Sequence, residues 1–266
     1  MTGGRAASPP RPDGIREQVR EWYGTVASHG GCCGSPLAGT SCCGDLATSL
    51  DLGYASEEIA GLPPGADLGL GCGSPTRLVA LRAGDVVLDL GSGAGIDCFL
   101  AAKKVGPRGR VIGVDMTPGM LSRARAGARA GGYRTVEFRL GEMEHLPVPN
   151  GAVDVVISNC AVNLSPDKRS VYAEAYRVLR PGGRLAVSDV IATRPIGRID
   201  RDDPAQWCSC SSGALGAGPT RTLLREVGFV DVRVDLPPAA ARAVPRSPPA
   251  SLGALPASIR ATKPGK

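Results

Sequence analysis

The sequence is most informative at first for what it does not contain. No apolar stretch approaches eighteen residues, so no membrane-spanning helix is expected. The N-terminus, MTGGRAASPPRPDG, has no apolar signal-peptide core, which points to a protein that stays in the cytosol. The net charge is +6, from 31 basic and 25 acidic residues, but no run of five or six basic residues occurs. Scattered charge of this kind serves solubility rather than nucleic-acid binding. Only two histidines, His29 and His145, are available, and neither forms a convincing pair with an aspartate for acid–base work. C-x-x-C spacing, the strong signal of a zinc finger, is missing. No internal repeat is visible.

Cysteine is present in excess. Nine cysteines (Cys32, Cys33, Cys42, Cys43, Cys72, Cys98, Cys160, Cys208 and Cys210) are many for a cytosolic chain of 266 residues. Structural disulfides are rare in a reducing cytosol, so thiols in this number suggest soft-metal, metalloid or redox chemistry. Some should be small core hydrophobes; Cys98, inside a helical pattern, is read that way. Cys72 lies between two glycines in GLGCGSP, which leaves its thiol unobstructed and favours a functional role. The two Cys-Cys pairs lie in a glycine-rich loop, GGCCGSPLAGTSCCG, and neighbouring cysteines rarely bond to each other.

The chain is organised around VVLDLGSGAGIDCFLAAKKVGPRGRVIGVDMTPGM, residues 86–120. It reads as a buried strand, a glycine turn at Gly91, Gly93 and Gly95, a helix from Ile96 to Val105, and a second strand ending at Asp115. The turn lets backbone N–H groups approach a ligand closely. An acid at the end of the second strand can accept hydrogen bonds from ribose hydroxyls. Asp89, ahead of the glycines, would repel a phosphate but suit an ammonium group. The stretch resembles motif I of the class I S-adenosylmethionine (SAM) methyltransferases.

Further signals place the remaining elements. Ile15, Val19, Trp22 and Tyr23 share one helical face, with Asp13 as N-cap and an end at Gly24 or soon after, leaving His29 in a loop. Thr117 and Pro118 open a helix to Ala130. Strands are expected at 136–140, 153–158, 185–190, 229–234 and 258–262, with helices at 165–179 and 220–227 and a turn at 180–183. The alternation predicts an α/β fold: a mostly parallel twisted sheet flanked by helices, Rossmann-like, with N- and C-terminal additions forming the substrate site. Cys160 leaves the end of the fourth strand, on the rim where ligands bind. Cys72 precedes the sheet and Cys210 follows its fifth strand, so the three can meet.

Together, GLGCGSP, GRVIGVDMTPGM, VEFRLGEMEHLPV, VDVVISNCAVNLSPDK, RVLRPGGRLAVSDV and CSSGAL resemble the bacterial arsenite SAM methyltransferases over residues 15–234. The resemblance implies arsenite bound by Cys72, Cys160 and Cys210, with Cys208 a rival for the third place. It implies an N-terminal cysteine that pairs with Cys72 during a reductive cycle; by spacing this is Cys43, with Cys42 the next candidate. It implies a SAM site in which Asp89 faces the amino end, Gly91, Ser92, Gly93 and Gly95 make the close approach, Asp115 holds the ribose and Met116 packs on adenine. Glu142 and Met143 would frame the adenine and Asn159 would lie near the methionine portion. A thiol reductant of thioredoxin or glutathione type, arsenite or its thiol conjugates as substrate, and a cytosolic monomer follow. The expected organisation is a disordered stretch at 1–12, a cap with the Cys-rich loop at 13–75, the SAM-binding core at 76–190, and a segment at 191–266 that covers the arsenic site and completes the sheet. The sheet motifs alone fit a methyltransferase of a quinone, sterol or phenol equally well, and the thiols alone fit a non-catalytic metalloid-binding protein.

Overall fold

A computed structural model describes residues 11–29, 49–50, 52–197, 207–208, 210–236 and 253–265. Within them the glycine-turn unit forms as its pattern requires. Strand β1 (Val86–Leu90) is followed by helix α3 (Ile96–Val105) and strand β2 (Arg110–Asp115), and β1 and β2 pair in parallel. Before this unit come α1 (Pro12–His29) and the short α2 (Ser56–Ala60). After it come α4 (Pro118–Ala130), β3 (Val136–Leu140), β4 (Val153–Asn159), α5 (Lys168–Val178), β5 (Leu179–Ala192), α6 (Ala217–Val227), β6 (Val230–Asp235) and β7 (Ala254–Thr262).

Among the described residues the strands make one sheet in the order β3-β2-β1-β4-β5-β7-β6. The first five run parallel, and β7 is antiparallel to both its neighbours. The order reverses between β1 and β4, so the crevice at their carboxyl ends is the natural ligand site of a doubly wound sheet. Two apolar cores flank the sheet. One packs Val87, Phe99, Val111, Leu121 and Phe138 under α3 and α4; the other packs Leu88, Val156, Tyr172, Leu185 and Leu224 under α5 and α6. Phe99 anchors the first, with its ring 4.6 Å from Tyr133 and edge-on to Phe138 at 5.9 Å. Aromatic pairs in this geometry add about 0.5–1.5 kcal/mol beyond area burial.

Helices α5 and α6 begin three residues later and three earlier than expected, and three further elements depart from the sequence reading. Helix α1 runs through Gly24 to His29, because Val26 and Ala27 continue its buried face onto Met120 of α4. Tertiary packing here outweighs the glycine's low propensity. His29 is therefore the last helical residue, with its Nδ1 2.9 Å from the Thr25 carbonyl. Residues 180–183 lie inside β5, where the register against β4 shifts between Val153 and Val155 and Gly182 adopts φ +75°. Strand β7 begins four residues early and includes Pro256. The proline is tolerated because β7 pairs only with β5 there; β6 reaches no further than Ser258. The cysteine-rich loop at 30–44, with Cys32, Cys33, Cys42 and Cys43, lies outside the described residues.

Candidate active site

Strand β1 delivers Asp89, Leu90 and Gly91 to the crevice. Gly91 has φ +68°, and a Cβ there would sit 2.3 Å from the Ala161 methyl, so the exit of β4 can come this close only against glycine. Gly93, at φ +52°, has open space where its Cβ would be, and its N–H donates to Asp115 Oδ2 at 2.9 Å. Asp115 Oδ1 accepts the Thr117 N–H at 2.8 Å. The carboxylate thus ties the end of β2 to the glycine turn and keeps lone pairs for a further donor such as a ribose hydroxyl. Burial raises its pKa above the usual carboxylate range. Ser92 is buried beside it, and its hydroxyl has no hydrogen-bond partner. An open glycine edge, an acid with spare acceptor capacity and an orphaned buried hydroxyl fit the ribose end of a nucleoside cofactor.

The other end of the crevice is acidic. Asp89 and Asp97, from β1 and the first turn of α3, are each 2% exposed. Asp89 accepts a hydrogen bond from the Cys98 thiol at 3.3 Å. Burial, followed by the facing charge of Asp97, holds the Asp89 carboxyl well above its ordinary pKa. Asp97 is pushed up to about 6, chiefly by burial. Burial first and Asp89 second push the Cys98 thiol up, so Cys98 is a core thiol that donates rather than a nucleophile. Two desolvated carboxylates side by side favour a cation between them. Asp97 was missed in the sequence reading, although an acid in the first turn after a glycine loop was a legible signal.

Asn159, at the end of β4, connects this acidic floor to the thiols. Its Nδ2 donates to Gly73 O at 2.7 Å, Tyr54 Oη at 2.8 Å and Asp97 Oδ2 at 3.2 Å. Its Oδ1 accepts the Cys72 N–H at 3.0 Å. Tyr54 in turn donates to the Asp97 carboxylate at 2.9–3.0 Å. The residue expected at the methionine portion of a cofactor therefore also anchors a thiol-bearing segment. Tyr54 had no sequence signal.

Cys72, Cys160 and Cys210 come together from three parts of the chain. Cys72 and Cys160 form a disulfide across 88 residues, with Cα atoms 5.8 Å apart. Cys210 Sγ donates to the Cys160 carbonyl at 3.0 Å. All three belong to one cluster with Val19, Trp207, Cys208 and Met116. Strand end and loop bring Cys160 against Cys72; Cys43, whose pairing with Cys72 the resemblance implies, lies outside the described residues. Cys160 and Cys210 both have positive φ, 50° and 62°, a conformation costing non-glycine residues about 1–3 kcal/mol and concentrated at functional sites. The Cys210 segment is held to β5 by the Ala192 N–H bonding to Leu215 O at 2.9 Å. It also passes so close to Asn163 that a Cβ on Gly213 would lie 2.0 Å from the Asn163 carbonyl.

Asp189, from β5, places a carboxylate oxygen within 4.8 Å of both bonded sulfurs. It accepts from Asn163 N at 3.1 Å, Asn163 Nδ2 at 2.8 Å and Val190 N at 2.8 Å. Sequence reading passed over it as a strand residue.

The remaining expected contacts are spread along the rim. Met143 lies over the glycine turn, its Sδ 3.9 Å from where a Gly91 Cβ would be. Met116 packs into the thiol cluster. Glu142 is engaged by helix α1, 2.9 Å from Arg20 and 3.8 Å from Arg16. Its neighbour Glu144 is buried and accepts from Arg16 and Ser165, which docks α1 on this loop. His145 is exposed and joins Glu142 only through backbone bridging.

Comparison with known proteins bears on this arrangement. Residues 81–228 match the methyltransferase domain family. An arsenite methyltransferase of Halobacterium salinarum is 49% identical over 84% of this chain and 59% of its own length. One from Aquipseudomonas alcaligenes is 39% identical over 83% of this chain and 63% of its own. The crystal structure of an arsenic(III) S-adenosylmethionine methyltransferase from Chlamydomonas reinhardtii superposes with a TM-score of 0.62 at 34% identity, covering 81% of this chain and 72% of that one. The chain belongs to the arsenite methyltransferase family. It spans about three-fifths of the length of the two curated relatives. The sheet order and glycine turn are those of a class I SAM methyltransferase. Family membership makes SAM the cofactor that the glycine turn, Ser92 and Asp115 would hold. Among the described residues no helix is long and apolar enough to cross a membrane.

Proposed function

We propose that this member of the arsenite methyltransferase family transfers methyl groups from SAM to trivalent arsenic held by the thiolates of Cys72, Cys160 and Cys210. The observation that carries the reading is the convergence of these three sulfur-bearing residues at the strand ends, joined through Asn159 to the acidic floor of the nucleotide crevice. When bound, SAM supplies an electrophilic methyl group on a sulfonium centre.

The chain's own residues supply binding and orientation. Gly91, Gly93, Ser92 and Asp115 would hold the nucleoside, and Asp89 and Asp97 would favour the cationic amino-acid end. Met116, Glu142 and Met143 would border the adenine. Soft thiolates outcompete water oxygens for trivalent arsenic and leave its lone pair available. Proximity and alignment then supply several kcal/mol of the barrier reduction. No proton has to leave arsenic, so neither histidine is needed as a base.

The Cys72–Cys160 bond must first open. Two electrons and two protons from a thiol reductant of thioredoxin or glutathione type convert it to two thiols, after which arsenite or its thiol conjugate can load. Residues 13–75 and 191–266 serve as the cap and cover that bring Cys72 and Cys210 to the core at 76–190. A reducing cytosol suits this cycle, and we read the chain as a monomer that needs neither nucleic acid nor membrane. The test is direct: reduced protein incubated with SAM and arsenite forms methylarsenicals, and Cys160→Ser does not. Wild-type protein that binds SAM but yields no methylarsenical overturns the reading.

A further inference from the structure

We infer that the reduced, arsenic-free protein holds a thiophilic divalent cation such as zinc on Cys72 Sγ, Cys160 Sγ and a carboxylate oxygen of Asp189. The three donor atoms lie within 4.8 Å of one another. Two thiolates and one carboxylate form a donor set that zinc accepts, with a fourth position left for water. Zinc bonds of about 2.3 Å to sulfur and about 2.0–2.2 Å to oxygen place tetrahedral donors ~3.5–4 Å apart. The carboxylate has to close in by up to ~1.3 Å, while the sulfurs part as their bond is reduced.

The surroundings are built to orient this carboxylate. Asn163 donates to it twice and the Val190 N–H once. A carboxylate offers about four lone-pair sites, so these three bonds fix its plane and leave one acceptor direction. Outer partners of this kind set the affinity of metal sites. Cys72 is held in turn by its N–H bond to Asn159 Oδ1, and Cys160 by its N–H bond to Ser188 O at 2.8 Å. The whole set is buried or half-buried.

Arsenic and the cation use the pocket differently. Zinc is borderline and draws on the oxygen; trivalent arsenic is soft and draws on sulfur, which on the reading above includes Cys210. Asp189 therefore separates the two ligands. Zinc would cap the thiols between turnovers and yield to arsenite, and that competition rests on the proposed arsenic site.

The test uses the full chain with Cys32, Cys33, Cys42 and Cys43 replaced by serine, so that the loop thiols do not bind zinc. Zinc alone is titrated into reduced protein against a chromogenic chelator, without SAM or arsenite. One zinc per chain binds after reduction and none while Cys72 and Cys160 are bonded. Asp189→Asn weakens zinc at least tenfold but changes arsenite binding less than threefold. Asn163→Ala, which keeps the carboxylate but loosens it, weakens zinc about tenfold and remains informative if Asp189→Asn does not fold. Equal zinc binding by the oxidised and reduced protein, or zinc affinity unchanged within threefold in both variants, overturns the inference. Zinc binding by a protein that makes no methylarsenical would leave it intact and sink only the proposed function.

Discussion

Asn159→Ala should disturb both halves of the site at once. The side chain accepts the Cys72 N–H and donates to Gly73 O, Tyr54 Oη and Asp97, with distances from 2.7 to 3.2 Å. Truncation removes a net contribution of about 1 kcal/mol per bond and leaves groups orphaned at about 1–3 kcal/mol each. Gly71 and Gly73 are only half-buried, so water can recover part of this. A loss of about 3 kcal/mol in unfolding free energy results. Cys72, flanked by glycines, loses its tether, and its alkylation in the reduced protein accelerates. Tyr54→Phe removes one arm of the network and should cost about 1 kcal/mol without releasing Cys72. Urea unfolding and mass-spectrometric alkylation kinetics measure both effects. Asn159→Ala within about 0.5 kcal/mol of wild type, with unchanged Cys72 alkylation, would refute the role assigned to this residue.

Three further outcomes follow from the geometry. Gly91→Ala brings a methyl into Ala161 at a positive φ, so SAM affinity measured by calorimetry falls at least tenfold; a change under threefold would contradict the close approach. Asp97 has a folded pKa of about 6 against an ordinary 3.8, so the folded state binds the extra proton and stability falls as pH rises from about 4 through 6. Asp97→Asn should remove that component, and identical pH–stability curves for wild type and variant would exclude it. Arg16→Ala leaves the buried Glu144 with Ser165 but without its cation; about 1–3 kcal/mol is lost and α1 becomes more open to limited proteolysis. Unchanged protease resistance would rule out this docking contact.

Periodicity and turn chemistry made the central sheet legible. Helices at Ile96–Val105 and Pro118–Ala130 and the strand at Val136–Leu140 have the bounds their patterns implied. Strand-end logic located Cys160, because a residue that leaves a buried parallel strand must arrive at the ligand rim. The less visible features depend on tertiary contact. Helix α1 passes Gly24 because Met120 lies beneath it, and no window of sequence contains both. Pro256 fits a strand because β6 is too short to pair with it. Asp189 looked like any strand carboxylate, and its significance depends on sulfurs 29 and 117 positions earlier in the chain. Tyr54 acquires its role only through its bonds to Asp97 and Asn159, whereas Asp97 stands where an acid after the glycine turn was legible.

X-ray absorption at the arsenic edge, on reduced protein loaded with one equivalent of arsenite, tests the central claim most directly. Three sulfur neighbours and no oxygen are predicted for the wild type, with a sulfur lost in each of Cys72→Ser, Cys160→Ser and Cys210→Ser. An oxygen-dominated shell in the wild type, or three sulfurs persisting when all three cysteines are replaced, would contradict it.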